Sequence, residues 1–257
     1  MALIDYTVQN RVAYITLNRP EKRNALNPDL VSELTRSFTR ASEDRSVKVI
    51  VLNANGEVFS AGADLAYLQQ LQNNSFDENV ADSSALKDLF YTIYTSPKVV
   101  IAQVEGHAIA GGCGLASVCD IIYSVPEAKY GYTEVKIGFI PALVACFLVR
   151  KLGEARSKEL LLTGDLINAE TALSYGLINF LCDRETIRQK VKDEAEKIAA
   201  ETSSDSIALT KQLLNFAQNL SLEDSLSQAV KLNAEARATD DCKRGISAFL
   251  NKEKITW

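Results

Sequence analysis

Three short, nearly unbroken apolar runs, at residues 47–52 (VKVIVL), 99–104 (VVIAQV) and 121–125 (IIYSV), constrain this chain most. A strand with water on one face alternates apolar and polar residues. A strand covered on both faces does not, and that continuous pattern belongs to parallel sheets sandwiched between helices. Residues 12–17 read as a further strand, ended by the turn Asn18-Arg19-Pro20. Between the strands, Asn27 before Pro28 is an N-cap followed by a proline at the first helical position, and Leu30, Leu34, Phe38 and Ala41 keep the spacing of an amphipathic helix. Strands alternating with helices predict an α/β architecture with right-handed crossovers.

The pattern changes in two places. Residues 72–84 (QNNSFDENVADSS) are polar and read as a surface loop or loose helix, the kind of segment that often gates a site. After about Asp183 the strands stop, and four helices are expected at 184–201, 206–219, 222–239 and 240–252. A helical run after an α/β body predicts an appendage whose apolar faces are buried against the body or another subunit. We divide the chain into a core at 1–190 and a helical oligomerisation region at 191–257.

Charge and cysteine usage narrow the function classes. The 28 basic and 33 acidic residues give a net charge of −5, with no basic cluster for nucleic acid or an anionic membrane. Five scattered cysteines without a CxxC, and a single histidine, form neither a zinc pattern nor a secreted disulfide framework. They read as reduced thiols used as small apolar residues, so a cytoplasmic location is expected. The N-terminus lacks a signal peptide's basic and apolar regions, and the longest apolar stretch, 138–149, is too short to span a bilayer.

Chemistry can sit in three segments. In 59–65 (FSAGADL), small residues flank Gly62, so backbone can approach a ligand closely, while Asp64 can cap a helix and leave the amides at 63–65 pointing outward. In 107–115 (HAIAGGCGL), small residues open a helix whose free amides favour a carbonyl or oxyanion, yet the glycine spacing fits neither GxGxxG nor a Walker A loop. In 130–141 (YGYTEVKIGFIP), Glu134 lies among apolar residues, where desolvation raises a carboxyl's proton affinity and suits it to acid/base work. Each has a plain alternative: a tight turn, close helix–strand packing, or a solvated glutamate paired with Lys136.

Together, at these spacings, the segments resemble the crotonase (enoyl-CoA hydratase/isomerase) superfamily. The likeness runs from Asn18-Arg19-Pro20 and Arg23-Asn24-Ala25-Leu26 through residues 161–165 (LLTGD) to the helical tail. It implies a spiral of ββα turns with a C-terminal helical trimerisation region, an acyl-CoA thioester substrate, and a homotrimer or homohexamer. No cofactor is implied, since coenzyme A is part of the substrate, and no metal. Carried over by position, Ala63 and Gly111 would donate the two backbone N–H groups of an oxyanion hole. Ala25, Leu26 and Ala61, with Asp64 and Leu65 beside them, would hold the CoA adenine and pantetheine. Lys22 and Arg23 would meet its phosphates, and Phe249 and Lys252 would reach CoA, often from a neighbouring subunit.

Glu134 matches the second of the family's two hydratase glutamates, the one that handles the α-carbon proton. The first would stand at Gly114, where this chain has no side chain. An enoyl-CoA hydratase remains the favoured reading. The alternatives are a Δ3,Δ2-enoyl-CoA isomerase, which needs one base, a non-catalytic acyl-CoA-binding member, and other enolate chemistry. Asp77, Glu78, Asp82 and Asp88 are candidates for a substitute base that the sequence does not place. His107 and Asp120 read as structural, and Tyr130 and Tyr132 as either core or acyl-pocket wall.

Overall fold

A computed structural model describes residues 2–257. The chain opens with an antiparallel pair, β1 (Ile4–Gln9) and β2 (Val12–Leu17). A 3-10 turn at Pro20–Lys22 leads to α1 (Pro28–Glu43), where the Asn27 side chain accepts a hydrogen bond from the Leu30 N–H and all four spaced apolar residues are buried. Next come β3 (Val49–Ala54), β4 (Val58–Ser60), α2 (Leu65–Leu71) and α3 (Phe76–Tyr94). They are followed by β5 (Val99–Val104), β6 (His107–Ile109) and α4 (Gly111–Ser117). A third set is β7 (Ile121–Ser124), β8 (Lys129–Gly131), a 3-10 turn at Glu134–Ile137 and α5 (Ala142–Thr163). The body closes with β9 (Ile167–Asn168), α6 (Ala169–Tyr175) and β10 (Phe180–Leu181). Four helices follow: α7 (Ile187–Glu201), α8 (Ser204–Ala217), α9 (Leu222–Ala238) and α10 (Asp240–Asn251).

The repeating unit is strand, strand, helix, and its two strands go to different sheets. The first strands join a six-stranded sheet ordered β1-β2-β3-β5-β7-β10, parallel from β2 onward. The second strands form a small sheet, β4-β6-β8-β9, in which β4, β6 and β8 run parallel. The three apolar runs supply β3, β5 and β7, and Val49 to Leu52 are wholly buried because the larger sheet is covered on both sides.

One expectation is narrowed to one of its two alternatives, and another changes. The polar stretch at 72–84 is a short turn followed by the exposed first half of α3. Ser75 and Glu78 form a capping box at its start, and Leu89, Phe90 and Ile93 bury its far end. The helix is anchored by caps and by its C-terminal half, so its polar half shows no periodicity to read. The division at 190 cuts through α7, whose Ile187, Val191, Ala195 and Ala199 are buried in the main core. The segment that stands apart is α8 to α10, tied back by Lys211, which donates to the Lys98 carbonyl at 2.9 Å and pairs with Asp120. Asp120 also accepts from the Val100 N–H at 2.7 Å, which gives it a structural role. No helix among the described residues is long and apolar enough to cross a membrane.

Candidate active site

The three chemical segments leave the ends of β4, β6 and β8, which are neighbours in the small sheet (Ser60 beside Ala108, Ile109 beside Gly131). Parallel neighbours end on the same side, so their following loops lie together, as ligand loops do at the carboxyl ends of parallel sheets.

The loop after β4 is fixed by a second layer. Leu26 and Ala63 form a single parallel bridge, with the Leu26 N–H donating to the Gly62 carbonyl at 2.7 Å and the Asp64 N–H to the Leu26 carbonyl at 2.9 Å. The Ala61 N–H donates to the Arg23 carbonyl at 3.0 Å, and the Ser60 hydroxyl to the Asn24 carbonyl at 2.8 Å. Asn24 is fully buried, and its amide donates to the carbonyls of Asn55 and Val58, both at 2.8 Å. Asp64 caps α2, accepting from the Ala66 N–H at 2.8 Å and the Tyr67 N–H at 3.3 Å. Arg19 pairs with Asp64 at 2.6 Å, and its hydrogen bond with the ion pair holds the Asp64 carboxyl below its usual value against the opposing effect of burial. Arg19 is a partner the sequence did not disclose, since it stands 45 positions before Asp64 and only the fold joins them.

Close backbone approach brings the first two loops together. Gly62 has φ +86, and a Cβ there would stand 2.9 Å from the Ile109 carbonyl and 3.4 Å from the Gly111 nitrogen. A Cβ on Gly112 would lie 2.5 Å from the Ser60 carbonyl, so α4 begins directly on the end of β4. The residue between, Ala110, takes φ 51 and ψ −126, and its N–H donates to the Gly131 carbonyl at 2.7 Å. A non-glycine residue there costs on the order of 1–3 kcal/mol and persists only where the surroundings enforce it. The N–H groups of Ala63 and Gly111 donate to no acceptor among the described residues.

Glu134 opens the 3-10 turn after β8. Its Oε2 is buried without a hydrogen-bond partner, and burial raises its pKa above the usual value. Lys136 does not neutralise it, because Lys136 pairs with Asp165 at 2.8 Å. Glu134 lies close enough to Cys113 and Tyr132 for its charge to oppose their ionisation, and burial pushes the Cys113 thiol up to about 12. One turn beyond Gly111, Gly114 is buried, and a Cβ there would fall 2.2 Å from Val144 Cγ1 and 3.2 Å from the Phe90 ring. Apolar atoms occupy the room that a side chain at 114 would need.

The remaining candidates separate. Ala25 and Leu26 are buried in the bridge region, while Lys22 and Arg23 are exposed on the adjoining turn and Leu65 is 80% exposed. Phe249, 83% exposed, and Lys252 sit at the end of α10, which packs on α8 and α9. Glu78 is committed to its capping box, Asp77 is exposed, and Asp88 is an exposed partner of Lys87. Asp82 accepts from the Tyr67 hydroxyl on α2. His107 Nδ1 accepts from the Lys129 N–H at 3.2 Å, and the buried Tyr130 hydroxyl donates to Ser124 at 2.7 Å. No group of three or more metal-ligating side chains occurs among the described residues.

Comparison with known proteins places the chain in a family. Residues 7–257 match the family described as enoyl-CoA hydratase/isomerase. A Thermus thermophilus protein, provisionally named an enoyl-CoA hydratase, is 42% identical over 244 residues, covering 95% of this chain and 96% of that one. The mitochondrial enoyl-CoA hydratase of Pongo abelii is 37% identical over 249 residues, 96% of this chain and 84% of its own. The crystal structure of an enoyl-CoA hydratase from Mycobacterium smegmatis superposes with a TM-score of 0.93 at 27% identity, covering 100% of this chain and 99% of that one. The α/β spiral with its helical C-terminal region is the crotonase fold, and this chain belongs to the enoyl-CoA hydratase/isomerase family.

Proposed function

We propose that this protein is an enoyl-CoA hydratase working through Glu134, with the N–H groups of Ala63 and Gly111 as its oxyanion hole. The observation that carries the reading is the buried, unpartnered Glu134 oxygen on a loop beside two loops with free N–H groups. The thioester oxygen of a 2-enoyl-CoA accepts from both N–H groups. The Glu134 carboxylate takes a proton from water as the water oxygen bonds to Cβ, the electron pair of the double bond moves onto the thioester as an enolate, and Glu134 returns the proton to Cα. Each donor aimed at the developing charge contributes about 3 kcal/mol.

Ala25, Leu26, Ala61, Asp64 and Leu65 flank the CoA path, with Lys22 and Arg23 at its phosphates. The exposed apolar residues of the appendage, among them Leu222, Leu226, Val230 and Phe249, support packing against other copies in a homotrimer or homohexamer. In that assembly Phe249 and Lys252 would reach the CoA of a neighbour. Five unpaired cysteines support a cytoplasmic location.

The apolar filling in front of Gly114 favours a second reading, Δ3,Δ2-enoyl-CoA isomerase, in which Glu134 moves one proton between two carbons. A side-by-side assay of acyl-CoA esters decides. Water addition to crotonyl-CoA faster than double-bond migration in a 3-enoyl-CoA is expected. The reverse order makes the protein an isomerase, and ester binding without either reaction makes it a binding protein.

A further inference from the structure

Two helices fill the space in front of Gly114. Val144, which supplies the Cγ1 that a Cβ at 114 would strike at 2.2 Å, stands on α5, and Phe90, at 3.2 Å, stands on α3. Both are buried. The Phe90 ring meets Phe147 edge-on with centroids 6.3 Å apart, and Phe147 packs on Tyr94 at 5.1 Å, so Phe90 is braced from behind. Gly114 lies three residues beyond Gly111 on α4, hence on the same helix face, and α5 follows the turn that carries Glu134.

We infer that Val144 and Phe90 are specificity-determining residues: they close the acyl end of the site with an apolar wall, so that the protein selects short acyl chains without a polar terminal group. The inference rests on the site proposed above. A braced, close-packed wall does not yield to an extra chain segment without strain, and an apolar wall leaves a polar acyl terminus without a hydrogen-bond partner.

The test compares Val144→Ala and Val144→Ile with wild type, using crotonyl-CoA and trans-2-decenoyl-CoA. The kcat/KM ratio of long to short substrate should rise about tenfold in Val144→Ala, the scale set by removing methyl groups from an apolar pocket, and fall in Val144→Ile. The same ratio is read without turnover as Kd for decanoyl-CoA and butyryl-CoA. Ratios that both variants leave unchanged, with binding intact, overturn the wall and leave the proposed reaction standing. Ratios that shift in binding while no variant turns over substrate retain the wall and retire the reaction. Gly114→Ala supplies the geometric check: it should melt well below wild type and recover in Gly114→Ala/Val144→Ala. A Gly114→Ala protein that melts with wild type overturns the contact on which the wall rests.

Discussion

The two sides of the site are built differently. The donor side consists of backbone alone, fixed by a dense mesh: the Leu26–Ala63 bridge, the Arg19–Asp64 pair and the strained Ala110 held by Gly131. The acid/base side is one carboxyl on a 3-10 turn, with one oxygen buried and without a partner, and the α4 position where a second carboxylate would stand is a glycine faced by apolar atoms. Donors must be aimed before charge develops, so rigidity serves them. A proton carrier must instead hold its proton with an affinity near the working pH, and burial moves Glu134 in that direction.

Removing the carrier should have the largest effect. Glu134→Gln keeps the shape and loses the base, so turnover should fall by about 10²–10⁴-fold while CoA-ester affinity is kept; equal loss of binding would break the division of labour between the two sides. The same residue sets the pH dependence. Glu134 must be ionised to take a proton from water, and burial places its pKa above the ordinary carboxylate range. Activity should therefore rise with pH through a limb lying above that range, read from kcat/KM against pH. A limb at an ordinary carboxylate value would mean that the carboxyl is solvated in solution.

On the donor side, Gly111→Pro deletes one N–H at the first position of α4. It should lower kcat by roughly 10²–10³ with little change in Kd. A parallel collapse of melting temperature would instead point to misfolding. Asp64→Ala should cost kcat least, although it removes the α2 cap, worth about 1 kcal/mol, and leaves the largely buried Arg19 without its partner, seen as a lower denaturation midpoint and a smaller loss of kcat than Gly111→Pro causes. A loss of kcat as large as that of Gly111→Pro would show that the mesh, rather than the donors, limits the reaction.

Much of this was legible in the residues, and the gaps have physical causes. The apolar runs became β3, β5 and β7 because a strand buried on both faces has no polar positions to show. The caps at Asn27 and Asp64 were legible because capping is local, read from a few consecutive residues. What was not legible is long-range. Arg19 meets Asp64, and Val144 fills the room before Gly114, across chain separations that carry no periodicity. Residues 72–84 read only as loop or loose helix because the first half of α3 faces water, and the boundary at 190 falls inside α7 because α7 buries its apolar face on the larger sheet like a body helix.

The most direct test is a crystal structure with a bound acyl-CoA thioester. The account predicts the thioester oxygen within about 3 Å of both the Ala63 and the Gly111 nitrogens, with the Glu134 carboxyl over the α- and β-carbons. A thioester oxygen held by any other pair of groups, or a Glu134 carboxyl turned away from the acyl chain, would contradict it.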